Sequence, residues 1–153
     1  MNSIKELLKK HKEDWSLDQD YYHDSSIFTI EKNNIFFDSW IFIGHESQIP
    51  NKGDYFIYKI LNEEIIIVRG KDLKVRAFFN VCRHRGSRIS LEEKGNAKRF
   101  SCPYHAWSYN LEGKLLAAKS LPPDIEKQSL GLHKCGLEVI AGMLFVNLSE
   151  NPQ

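Results

Sequence analysis

Two cysteines and two histidines stand in two short pairs, Cys82-Arg83-His84 and Cys102-Pro103-Tyr104-His105, with seventeen residues between them. Thiolates suit iron–sulfur clusters, copper and zinc, and neutral imidazole suits zinc and iron, so four such groups in two tight loops point to one shared metal site. Tetrahedral zinc on two cysteines and two histidines is one candidate, although zinc fingers usually pair Cys with Cys and His with His. Here each pair carries one of each kind. Mixed pairs suit a [2Fe–2S] cluster in which two histidines replace two cysteines on one iron, because each loop then reaches both irons. Zinc stays as the alternative.

The neighbouring residues suggest how such a site is held. Pro103 stiffens the second loop beside Cys102, and Gly86 lets the first loop turn closely, where backbone amides can donate to sulfur. Tyr104 and Trp107 are apolar enough to limit water at the site, unless they pack on a sheet instead. Arg83, Arg85 and Arg88 form a basic rim, read either as a docking patch for an acidic partner or as solvated surface. His11, His23, His45 and His133 have no ligand spacing. With two of three cysteines committed to metal, Cys135 has no disulfide partner, which fits a reducing compartment.

The elements that position the loops read as strands. Tyr55 to Ile60, Ile65 to Arg69 and Lys74 to Asn80 are β-rich runs separated by Asn62-Glu63-Glu64 and Gly70-Lys71-Asp72, an antiparallel meander that delivers the first loop. Lys98 to Ser101 feeds the second loop, and Leu111-Glu112-Gly113-Lys114 is a hairpin turn after it. Leu121-Pro122-Pro123-Asp124 breaks regular structure, Ile125 to His133 is a polar connection, and Leu137 to Ile140 with Met143 to Leu148 closes the sheet. At the other end, Ser3-Ile4-Lys5-Glu6 is a capping-box pattern for a short helix, Trp15 to Ser26 reads as an extended arm, and Thr29 caps a second helix to about Phe37. The 153 residues, 42% hydrophobic and 27% charged, suffice for one domain with a real core. A net charge of +1 argues against a nucleic-acid or membrane-surface partner held by bulk electrostatics. There is no eighteen-residue apolar run and no signal-peptide core in the first twenty residues, so a cytoplasmic location is expected.

The two loops with their flanks, Phe79-Asn80-Val81 and His105-Ala106-Trp107-Ser108-Tyr109, resemble the Rieske domain of oxygenase α-subunits, the ring-hydroxylating and quaternary-amine-demethylating enzymes. The resemblance runs from about Leu17 to Leu148, with Ala106 standing where many members have Gly. It implies that Cys82 and Cys102 bind one iron and His84 and His105 the other. The implied fold is mostly β, a Rieske-type antiparallel barrel or sandwich with a two-loop cluster-binding subdomain and a helical N-terminal extension. Residues 1–44 would be that extension and residues 45–150 the Rieske domain. Respiratory and photosynthetic Rieske proteins carry bridging cysteines where this chain has Ser87 and Tyr104, so it looks like the oxygenase and ferredoxin branch, near the low end of the roughly −150 to +300 mV range.

Substrate oxidation in the family needs a mononuclear iron on two His and a carboxylate, and after His105 only His133 remains, so the catalytic mononuclear-iron domain is absent from these residues. The chain alone thus lacks an oxygen-activating site. The resemblance implies electron transfer from a reductase or ferredoxin donor to the catalytic domain of the same or a neighbouring subunit, with a homotrimer as the usual full-length assembly. The alternatives are a self-standing Rieske-type ferredoxin and a zinc-stabilised interaction module. About fifty residues precede Gly53, and Tyr21-Tyr22, Ile27-Phe28, Ile35-Phe36 and Trp40 to His45 among them resemble the oxygenases' N-terminal segment. Leu121 to Leu132 resembles the glycine-betaine and related quaternary-amine enzymes more than the naphthalene or biphenyl type.

Overall fold

A computed structural model describes residues 4–119, 121–122 and 124–152. Ser3 of the capping-box pattern and Pro123 of the Leu121-to-Asp124 break lie outside the described residues. Helices α1 (Ile4–Lys10), α2 (Asp20–His23) and α3 (Ser25–Glu31), the last continued by a turn of π-helix at Lys32–Phe36, lead to strand β1 (Ile41–His45). The meander follows as β2 (Asp54–Ile60), β3 (Glu63–Arg69) and β4 (Val75–Phe79). Then come β5 (Lys94–Asn96), β6 (Phe100–Ser101), β7 (Ser108–Tyr109), β8 (Leu115–Ala117), β9 (Gly136–Ile140) and β10 (Met143–Asn147). The strands pair antiparallel in three sheets, ordered β4-β3-β2-β5, β1-β10-β9 and β6-β7-β8. The fold is mostly β and sandwich-like, not a closed barrel.

Three expectations need correction. The stretch from Trp15 to Ser26 is not simply an extended arm, because two aspartates start helices within it: Asp18 Oδ1 accepts from the Asp20 amide at 3.2 Å, and Asp24 accepts from the Ser26 amide at 2.7 Å. Thr29 is not a cap. Its hydroxyl donates back to the Ser25 carbonyl at 2.8 Å, the mid-helix alternative open to threonine. Finally, β9 and β10 do not close the meander but build a separate sheet with β1, whose Ile41 faces Val146.

The four-residue apolar run Ile65 to Val68 explains how the sheets stack, since a continuous apolar strand is one buried on both faces. All four side chains are fully buried. Ile65 and Ile67 pack with Ile43, Leu144 and Val146 toward the β1-β10-β9 sheet. Ile66 and Val68 pack with Phe78, Leu111, Trp107 and the two loop cysteines. At about 1.5–3 kcal/mol for each fully buried aliphatic side chain, this strand ties the terminal sheet to the loop region.

Both loops have the same backbone. In the first, the Cys82 amide donates to the Ser87 carbonyl (2.8 Å) and the Gly86 amide to the Cys82 carbonyl (2.9 Å). In the second, the Cys102 amide donates to the Trp107 carbonyl (2.8 Å) and the Ala106 amide to the Cys102 carbonyl (3.0 Å). The fifth residue of each turn is left-handed, with φ +71° at Gly86 and +59° at Ala106. A Cβ at Gly86 would meet nothing within 4 Å, so conformation and not space is what calls for glycine there. Asn80 anchors the first loop from the end of β4. Its Oδ1 accepts from the Ile89 and Ser90 amides (3.0 and 2.9 Å), and its Nδ2 donates to the Ser90 carbonyl and to Glu64 (2.8 and 3.0 Å).

Two stability measurements check this account. Asn80→Ala strands the Ile89 and Ser90 amides and is expected to cost about 3 kcal/mol, read as a lower urea midpoint at unchanged slope. Ala106→Gly relieves a left-handed alanine worth about 1–2 kcal/mol, partly offset by the greater chain entropy of glycine, so a gain on the order of 0.5 kcal/mol is expected in the same assay.

Candidate metal centre

The matched turns bring all four sequence-predicted donors together. Cys82 and Cys102 are buried in the same core cluster. The rings of His84 and His105 meet edge to face with centroids 4.7 Å apart. Each histidine has a buried Nδ1 with no hydrogen-bond partner. The histidines occupy different steps of the shared turn, third in the first loop and fourth in the second, so Tyr104 stands where the first loop has His84 and Arg85 where the second has His105. The two thiols and the two Nδ1 atoms are the groups here able to hold a metal centre.

Backbone amides tune the sulfurs. Burial pushes the Cys102 thiol up, but the amides of Tyr104 and His105, aimed at its sulfur, outweigh this and leave it below its ordinary value. At Cys82 burial wins and the thiol is raised, with the Tyr109 hydroxyl and the His84 amide working the other way. Desolvation, then the charges of His84 and Arg85, lowers His105 and favours the neutral ring that a metal needs. Cys135 is different. Burial pushes its thiol up to about 12, and its Sγ donates to the Asn147 carbonyl at 3.3 Å, away from the centre.

Around the donors, Trp107 is buried and stacks on His84 at 4.8 Å and 10°, while the Tyr104 ring lies tilted against His105 at 3.8 Å and stays 59% exposed. Pro103 is exposed beside Cys102. The three arginines do not form one rim: Arg88 is drawn to Glu64 (3.0 Å), Arg85 stays near His105, and Arg83 tucks inward with its Nε buried. Sequence reasoning missed Tyr109. Its fully buried hydroxyl sits 3.4 Å from Cys82 Sγ and accepts from the Arg83 amide at 3.1 Å. Burial and the contact with Cys82 push that hydroxyl up, so it stays protonated and able to donate to sulfur. A tyrosine on the strand leaving the second loop was the available signal.

Among the described residues, no three His, Cys, Asp or Glu side chains converge where a single ion could sit, and no helix is long and apolar enough to cross a membrane. The donor set instead fits a cluster with one iron on two sulfurs and one on two nitrogens, since two buried nitrogens without partners accompany two buried thiols.

Comparison with known proteins agrees with this chemistry. Residues 39–134 match the Rieske [2Fe-2S] domain family. The glycine betaine monooxygenase oxygenase subunit of Chromohalobacter salexigens is 39% identical over 148 residues, 96% of this chain and 33% of that protein. Among solved structures, the apo form of the quaternary ammonium Rieske monooxygenase CntA superposes with a TM-score of 0.85 at 37% identity, over 91% of this chain and 41% of that one. Naphthalene 1,2-dioxygenase from Rhodococcus sp. gives 0.87 at 29% identity, over 97% and 35%. The chain spans about a third of the length of the first of these relatives. It is homologous to the N-terminal domain of Rieske oxygenase α-subunits, and the cofactor of such domains is a Rieske [2Fe–2S] cluster. The chain belongs to the Rieske [2Fe–2S] domain family.

Proposed function

We propose that the chain is the electron-relay part of an oxygenase α-subunit. In this reading Cys82 and Cys102 hold one iron and His84 and His105 the other, and the bound cluster supplies a one-electron store. The observation that carries the assignment is the pair of buried Nδ1 atoms without partners beside two buried thiols. A buried polar atom left unpaired costs about 1–3 kcal/mol, which iron ligation removes. Gly86 and Ala106 hold the turns, Pro103 stiffens the second, and Tyr104 and Trp107 shield the two imidazoles.

The electron arrives from a reductase or ferredoxin and leaves by His105 to a mononuclear non-haem iron in the catalytic domain of the same or a neighbouring subunit. Likeness to an oxygenase subunit over 148 residues takes in the helical arm, which supports this over a self-standing ferredoxin. Residues 1–44 then serve as an extension to a domain at 45–150, with β1 strapping the two together through β10. The likeness to glycine betaine and quaternary ammonium enzymes supports a quaternary ammonium substrate for the whole subunit, assembled as a cytoplasmic homotrimer.

Protein purified without air is expected to carry two irons and two sulfides per chain and to take up one electron. Cys82→Ser and Cys102→Ser should lose both elements, and Cys135→Ser should keep them; stoichiometric zinc in the native protein overturns the assignment. Tyr109→Phe removes a hydrogen bond that favours the electron-rich sulfur. If that preference is about 1 kcal/mol, the midpoint falls by about 40 mV in a redox titration, with the cluster content unchanged.

A further inference from the structure

Beside the first loop runs a groove of about 890 Å3 whose walls bring together Arg83, Lys114, Lys127 and Lys134 against one carboxylate, Glu112. Those cations come from three separate stretches of chain, the first loop, the β7–β8 turn and the connection before β9. The fold fastens these stretches together. The Leu132 amide donates to the Gly113 carbonyl at 2.8 Å, and the Phe79 amide to the His133 carbonyl at 3.0 Å. None of the four cations forms an ion pair with a described carboxylate, whereas Lys59, Arg69, Arg76 and Arg88 each do. Uncompensated like charges around a concave surface focus a positive field into it.

The groove also reaches the metal centre. Arg83 is the residue between Cys82 and His84, and its amide donates to the Tyr109 hydroxyl that lies 3.4 Å from Cys82 Sγ. Two hydrogen bonds through one hydroxyl therefore link the groove wall to a sulfur. His84, His105, Tyr104 and Arg85 line none of it. The histidine side lies outside the groove's own lining.

We infer that this groove is the docking site of the electron donor, and that the donor presents an acidic protein surface to it. The inference rests on the relay reading above. Charge complementarity gives the encounter its speed and orientation, the donor is oxidised by one electron and the chain reduced by one, and no bond is made or broken. Entry beside Cys82 and exit by His105 then use different surfaces, so donor and acceptor need not take turns.

The test uses an oxidised plant-type [2Fe–2S] ferredoxin as an acidic probe. Its affinity for the cluster-loaded chain is measured by calorimetry at low and at physiological salt. The triple variant Lys114→Glu/Lys127→Glu/Lys134→Glu is compared with Lys52→Glu/Lys94→Glu/Lys98→Glu, an equal charge change at exposed lysines outside the groove. The groove variant should bind at least tenfold more weakly at low salt and lose most of the salt dependence, and the second variant should stay within about threefold of the parent. Unchanged absorption spectra establish that both remain folded and loaded. Equal weakening in the two variants, or no binding by the parent chain, overturns the groove. Groove-specific binding without subsequent reduction by the photoreduced ferredoxin overturns the relay reading and leaves the surface standing as a docking site.

Discussion

Because side chains alternate along a strand, Ile65 to Val68 must find two separate apolar partners at once, and the rest of the chain is arranged to supply them. One partner is the sheet that joins β1 to the C-terminal hairpin, and the other is the pair of loops with their small β6-β7-β8 sheet. The loops are therefore not appendages. Their cysteines belong to the same packed cluster as Ile66 and Val68, so the geometry of the donors inherits the rigidity of the central strand.

Polar groups at the margin of that cluster are satisfied with little slack. Glu64, the second residue of β3, answers both Asn80, at the start of the first loop, and Arg88, at its end. One carboxylate thereby holds both ends of the loop that carries Cys82 and His84. At the far margin, Arg69 donates to the Ile49 and Leu73 carbonyls and pairs with Glu46 at 3.2 Å, stitching β3 to the turn after β1. Among the described residues the buried nitrogens without a partner also include Arg83 Nε and Trp107 Nε1, but these can only donate, so the two histidine nitrogens are the ones able to offer a lone pair to a metal.

What the sequence made legible follows from range. The donors were readable because Cys-x-His and Cys-x-x-His are local patterns, and β2, β3 and β4 because apolar runs are bounded by turn residues. Strand β5 was not readable: Lys94, Gly95 and Asn96 are all exposed, and pairing with β2 rather than any apolar alternation makes them a strand. The assignment of β9 and β10 to the wrong sheet has the same origin, since Ile41 meets Val146 across most of the chain and no local signal encodes that register. In the helical arm the error was one of competition. Aspartate and threonine are both residue types that cap helices, and of Asp24 and Thr29 only Asp24 has its oxygen placed to accept from an amide two residues on. The arginines scatter for a long-range reason too, because Arg88 answers to a glutamate that precedes it by 24 residues.

The repeated turn separates two kinds of information that metal sites usually entangle. The path of each loop is written in the carbonyl of its cysteine and the left-handed residue four positions on, and those features are common to both. The identity of the ligand is written elsewhere, in which rung of the turn bears an imidazole. A scaffold of this kind can exchange ligand types without being rebuilt. Fold and inorganic chemistry can then diverge independently, which makes the two loops a natural starting frame for engineering other thiolate and imidazole centres.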